Sequence, residues 1–269
     1  KNRPWVILFS ATLMIFIMLV VRGGSMPIFM EHFADQQALA DFIGSMGLQS
    51  VDGVAPTGFG KFLNAFGYLL KPDHSNVPSV AYGIMGMLGT FTMFLGVLSS
   101  KPLSKLFGKR MVFVGSLVVT TVVTLWLFYI PSTNIRAMLW QSALWGLAYG
   151  PTVPLLWSMI ADSADYSEWK TGRRATGFTF AGVVFALKFG LGVGGYIQGT
   201  ILGQYGYEGG AELTERAITG VRVASSVAPA AFIVVAVAIL LFYPISKELN
   251  YQIGDELAQR RKSREGKRA

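Results

Sequence analysis

Residues 161–174 read Ala-Asp-Ser-Ala-Asp-Tyr-Ser-Glu-Trp-Lys-Thr-Gly-Arg-Arg, the densest charged stretch between two long apolar runs. Asp162, Asp165 and Glu168 come first; Lys170, Arg173 and Arg174 follow. On a continuing helix the acids fall at i, i+3 and i+6, close to one face. Acids at a helix C-terminus oppose the macrodipole. They call for cationic partners, and the nearest are on this loop or on the preceding basic one. Ion pairing is therefore the chemistry offered here, with a solvated loop carrying ordinary surface pairs as the plainer reading. Asp162 and Asp165 suggest a metal, but the adjacent Lys170, Arg173 and Arg174 make ion pairing the simpler use.

Lys188 is the second chemical signal. It sits inside Phe185-Ala-Leu-Lys188-Phe-Gly-Leu-Gly, in the middle of an apolar run. An ammonium at the centre of a membrane helix costs about 2.5–3.5 kcal/mol on insertion scales. About ten residues separate it from either end of its span, so snorkelling is difficult. It should face a polar cavity and pair with an acid. No acid lies at matching depth in the other spans, so its partner is expected outside this chain. Arg22 lies near the outer end of the first span, where snorkelling explains much of it. Gln141, Trp145, Tyr149 and Trp157 occupy the fourth span. Trp145 and Tyr149, four apart, share a face and either stack on a sugar ring or pack between helices.

The 269 residues are 52% hydrophobic and 14% charged, against about a quarter charged in ordinary soluble domains. There are 31 glycines, which suit close helix packing in lipid. With no cysteine, disulfides and thiolate metal sites are excluded. The two histidines, His32 and His74, fall outside the spans and far from the acids, which argues against a Ser–His–Asp enzyme and against catalysis generally. The glycine run 190–199 lies within a span and lacks the strand a dinucleotide fingerprint needs. The net charge of +8 is spread over short loops, which argues against nucleic-acid binding. The chain opens on Lys1 with no cleavable signal peptide, which suggests a fragment or a processed product.

Six segments reach the roughly 20 apolar residues a membrane helix needs. They run about 5–26, 80–99, 111–130, 137–160 (with Pro151 and Pro154 inside), 177–202 and 225–243. Sixteen Lys and Arg fall on one side and five on the other, with Arg22 and Lys188 inside spans. The positive-inside rule then places both termini in the cytoplasm. The expected domains are a six-helix bundle over 1–245, with an external insertion at about 31–79, and a basic cytoplasmic tail over 246–269. In the insertion, Phe59, Phe62, Leu63, Phe66, Leu69 and Leu70 recur at helical spacing and predict a short amphipathic helix. The tail is mildly amphipathic and is read as solvated or as touching anionic lipid.

The order Trp157-Ser-Met-Ile-Ala-Asp162-Ser-Ala-Asp165-Tyr166-Ser-Glu168-Trp169-Lys170-Thr-Gly172-Arg173-Arg174-Ala-Thr-Gly177 resembles a signature of the glycoside–pentoside–hexuronide:cation symporters. That family is the melibiose-carrier branch of the major facilitator superfamily. Gly108-Lys109-Arg110 resembles a degenerate copy of a superfamily loop motif. The resemblance implies an all-α membrane protein, its six transmembrane helices being the C-terminal half of a twelve-helix fold that works by alternating access between halves. It further implies a bacterial inner-membrane symporter of a sugar or glycoside. Its coupling cation would be Na+ or H+, bound mainly in an N-terminal half not contained in this chain. Lys188, Trp145, Tyr149, Gln141 and Arg22 would line the substrate and cation cavity. Asp162, Asp165, Glu168, Arg173 and Arg174 would form a cytoplasmic gate by pairing with the other half. The expected partners are the bilayer, the N-terminal half and a small sugar, with no further cofactor and no metal. Val183, Val184 and Leu187 are apolar where the melibiose carrier is polar, which leaves the sugar open. The alternatives are a lysolipid-type transporter of the same fold, and a six-span homo-oligomeric channel or non-transporting partner.

Overall fold

The computed structural model describes residues 2–48, 58, 61–62, 65–66, 68–210 and 213–265. Expectations for Lys1, Phe59, Leu63, Glu212, Lys267 and Arg268 lie outside the described residues. So do the side chains of Arg264 and Glu265. Every long element is helical: α1 (Arg3–His32), α2 (Gln36–Ser45), α3 (Val77–Phe107), α4 (Lys109–Tyr129), α5 (Ile135–Tyr149), α6 (Thr152–Thr171), α7 (Thr176–Gln204), α8 (Glu215–Arg222), α9 (Ala228–Leu240) and α10 (Lys247–Glu265). A π-turn, Val223–Val227, joins α8 to α9.

Five helical stretches are long and apolar enough to cross a membrane: α1, α3, α4, α7 and the run from α8 through α9. The expected fourth crossing is present as two pieces. Pro151 lacks the N–H that would continue the ladder, so α5 ends at Tyr149 and α6 begins at Thr152. Gly150 still donates to the Gly146 carbonyl at 2.9 Å, and Val153 takes the Gly150 carbonyl at 3.2 Å, so the helix is broken without reversing. The break also serves packing, because α3 and α5 touch through their backbones there. A Cβ on Gly150 would collide with the Met93 carbonyl and with Gly96.

α1 is the central strut, packed on α7 and on α9, while α5 is gripped by α3 and α4. Two apolar clusters fill the bundle. One, around Phe29, Leu39, Ile43, Met85 and Met138, lies under α2. The other, around Leu8, Phe113, Met159, Ile160, Ile233 and Leu240, lies toward the end that carries the start of α1 and of α10. Asn2 donates to the Ser163 carbonyl at 2.9 Å, and Lys247 to the Lys105 carbonyl at 2.6 Å. The start of α1, the start of α10, the α3–α4 turn and the α6–α7 turn therefore share one end.

Two elements add to what was expected. A helix lies at 36–45, where Asp35 caps it by accepting from the Ala38 N–H at 2.8 Å and Leu39, Ala40 and Ile43 face inward. Of the predicted amphipathic stretch, Leu70 is buried and donates to the Leu48 carbonyl at 2.9 Å. The tail forms α10, which buries Ile253 and Leu257 and packs on α6.

Candidate functional site

The charged segment closes α6. Gly172 takes a left-handed conformation (φ 72°) that ends the helix, and its N–H caps the Glu168 carbonyl at 2.8 Å. The last turns then present the three acids to cations, Asp162 to Lys109 and the other two to a shared Arg174. Lys109 donates to both carboxylate oxygens of Asp162, at 2.6 and 2.8 Å. Burial pushes the Asp162 carboxyl above its ordinary value, and the Lys109 ammonium and the Asn250 amide oppose that shift. Arg174 lies 3.1 Å from Asp165 and 3.8 Å from Glu168, and Arg261 of α10 reaches Glu168 at 3.0 Å. Trp169 donates to Glu256 at 2.7 Å, and Arg260 donates to the Trp169 carbonyl at 2.9 Å.

The preceding loop and this loop thus supply Lys109 and Arg174, as the charge pattern required. The acids expected to reach toward another half have partners within this chain. Arg173 is the exposed member whose side chain makes no ion pair among the described residues. The α10 contacts escaped the sequence reading; the spacing of Glu256, Arg260 and Arg261 was the available signal.

A second cluster is built around Pro229. Lacking an N–H, it leaves the Ser225 carbonyl four residues earlier without its helical donor. The chain widens into the π-turn, where the Ala228 N–H bonds the Val223 carbonyl. Arg22 supplies the missing donor, with Nη1 at 3.2 Å from the Ser225 carbonyl. Its Nη2 lies 3.4 Å from Gln141 Oε1, and the guanidinium carbon sits 4.8 Å from the Trp145 ring centroid. Gln141 donates onward to the Val123 carbonyl at 3.1 Å, and Trp145 to Thr124 Oγ1 at 3.1 Å. Tyr149 stacks on Trp145 at 5.0 Å.

Four of the five expected cavity residues are therefore contiguous. Arg22 is 6% exposed and Gln141 fully buried, so Arg22 is locked between α1, α5 and the π-turn and does not snorkel. Cation–π contacts of this desolvated kind are worth about 2 kcal/mol. Thr124 and Ser225 were missed; both are polar residues inside apolar spans, and Pro229 was the local signal.

Lys188 lies apart from this cluster. Ala186 and Gly190 of α7 are buried, and Gly190 meets α1, while Lys188 is exposed beside the stacked pair Phe185 and Phe189. Among the described residues it makes no hydrogen bond or ion pair. Its helix and α3 are the least covered of the spans, with 22% of the apolar window buried against 44% in the other three. Among the described residues no group of three or more His, Asp or Glu side chains comes together to hold a metal.

Residues 76–247 match the family model described as MFS/sugar transport protein. The chain is similar to the glucuronide carrier protein homolog of Escherichia coli (strain K12), 28% identical over 67% of this chain and 40% of that protein. It is similar to the inner membrane symporter YicJ of the same organism, 27% identical over 67% of this chain and 42% of that protein. It is also 34% identical to YagG of that organism, provisionally designated a glycoside/cation symporter, over 43% of this chain and 25% of that protein. The chain spans about two fifths of the length of the first two of these relatives. Its membrane-length helices and these symporter relatives make it an integral membrane protein. With more than half of its residues matched, the chain belongs to the MFS/sugar transport proteins, within the glycoside–pentoside–hexuronide:cation symporters of the major facilitator superfamily.

Proposed function

We propose that this chain is the second half of a secondary active transporter that carries a glycoside, pentoside or hexuronide with Na+ or H+ by alternating access. The carrying observation is the face of α7. An ammonium without an acid, flanked by exposed phenylalanines on one of the two least covered spans, calls for a covering element that supplies a carboxylate. Another six-helix half meets that need and would enclose a central cavity at Lys188. Its acids would hold the principal cation site. The Arg22–Gln141–Trp145–Tyr149 cluster then acts from behind, holding α1, α5 and the π-turn in register beside the cavity. The break at Gly150-Pro151 lets the lower part of the fourth crossing tilt as the halves rock. The basic end faces the cytoplasm of a bacterial inner membrane by the positive-inside rule. Arg173 meets the other half there, and the Asp165–Arg174–Glu168 network rearranges when the inner gate opens.

The test is uptake of labelled glycosides and glucuronides into proteoliposomes holding the whole transporter, with an imposed Na+ or proton gradient. Gradient-dependent uptake that falls at least tenfold in Lys188→Ala, with unchanged thermal stability, supports the reading. Uptake insensitive to every gradient, or a Lys188→Ala variant that transports normally, sinks it.

A further inference from the structure

We propose that the α3–α4 corner is a binding site for an anionic phospholipid, with the phosphate in a basic cavity and an acyl chain in the adjoining apolar cleft. The cavity, about 290 Å³, lies where the α3–α4 turn meets the middle of α6, the link after α9 and the start of α10. Lys105, Lys109, Arg110 and Lys247 line it against a single carboxylate, Asp162. Asp162 neutralises Lys109 and Glu248 lies in the field of Lys247, which leaves Lys105 and Arg110 without an acid among the residues that line the cavity. Arg110 donates to the Leu241 carbonyl and Lys247 to those of Lys105 and Leu106, and both keep further N–H groups to offer. That capping is the plain reason for two of the cations. It does not explain Lys105, whose ammonium makes no hydrogen bond or ion pair among the described residues.

The second observation is the cleft. α3 and α4 both pack on α5 more than on each other, which leaves a groove of about 620 Å³ between them. Leu103 and Phe107 form one wall, Met111 and Val119 the other, and Leu144 and Leu147 the floor. Leu144 and Leu147, in the second half of α5, are 41% and 44% exposed, and no described part of the chain covers them. In a membrane protein such a groove is filled by something apolar.

The two features share one turn. Phe107 and Met111 belong to the cleft; Gly108, Lys109 and Arg110 between them belong to the cavity. Gly108 makes this possible, since its φ of 82° and the approach of Lys247 (3.1 Å from a would-be Cβ) both disfavour a side chain. Apolar groove, basic cavity and exposed Leu106 at the rim follow the order of a phospholipid's chain, phosphate and interface.

The experiment is native mass spectrometry of the whole protein in detergent, titrated with dioleoyl phosphatidylglycerol, dioleoyl phosphatidylcholine or inorganic phosphate. The expected result is about tenfold tighter binding of phosphatidylglycerol than of the choline lipid. Lys105→Gln should lower that preference about fivefold, the effect of one charge near the headgroup, while choline-lipid binding and lipid-free melting stay unchanged. Gly115→Leu fills the cleft, where a Cβ meets nothing within 4 Å, and should weaken both lipids alike. Equal binding of the two lipids overturns the headgroup assignment. Displacement of phosphatidylglycerol by inorganic phosphate, together with no effect of Gly115→Leu, overturns the lipid in favour of a free anion.

Discussion

Replacing Lys109 with Met tests the electrostatics of the basic end. The side chain of Asp162 is 13% exposed and that of Lys109 30%, so the acid is the more deeply buried partner. The ammonium makes two short charge-assisted bonds, and its loss leaves the carboxylate with Asn250 alone. Hydrogen bonds to charged groups contribute about 1.5–3 kcal/mol. Solvent access to Lys109 places this case near the middle, at about 2 kcal/mol. That is roughly a thirtyfold change in the folded-to-unfolded ratio.

The pH dependence gives a sharper check. Burial raises the folded-state pKa of Asp162 above 3.8, so its favourable contribution is present below that value and lost as pH rises through the folded pKa. Removing Lys109 raises the folded pKa further. The deficit of Lys109→Met relative to the parent should shrink as pH falls and the acid takes up its proton, and should grow as pH rises through the folded pKa toward neutral. Melting of detergent-solubilised protein, followed by size-exclusion recovery after heating, reads this directly. Adding Asp162→Asn should restore most of the loss at pH 7, because no buried charge then remains. A deficit independent of pH, or a double variant no better than Lys109→Met, would refute the reasoning.

Three further outcomes are expected. Trp145→Ala should destabilise by about 3–5 kcal/mol through the cavity it leaves, while Trp145→Phe keeps a ring over Arg22 and costs much less, as parallel melts would show. Gly150→Ala, which drives a methyl into the Met93 carbonyl, should cost about 1–3 kcal/mol, whereas Gly192→Ala enters open space, leaves melting unchanged and lowers transport if that face meets another half. Arg261→Glu should free α10 from Glu168 at a cost of about 0.2–1 kcal/mol, and protection of α10 amides in hydrogen exchange should drop accordingly.

How much could be read in advance varies by element. Spans were legible because hydrocarbon thickness sets a length that apolar residues must meet, and Pro151 marked the break in the fourth. The acids of α6 announced their need for cations, since their position against the helix dipole is a local property. Lys188 stood out because no acid in the sequence matches its depth; among the described residues it lies on an exposed face of α7 and makes no hydrogen bond or ion pair. By contrast, Arg22 read locally as a snorkelling residue. Its actual acceptor is 203 residues away, and that carbonyl is free only because Pro229 lies four residues past Ser225.

The tail shows the same division. Its charge and weak amphipathicity were visible, but the docking of α10 depends on Trp169 meeting Glu256 across 87 residues. Local composition therefore carried the membrane class, the number of crossings and the segments under electrostatic stress, because each is a free-energy cost borne within a few turns of helix. Which cation answers which acid, which carbonyl is orphaned, and where a basic cavity adjoins an apolar cleft arose from packing. Those depend on which distant helices share a surface, and no short-range pattern encodes that.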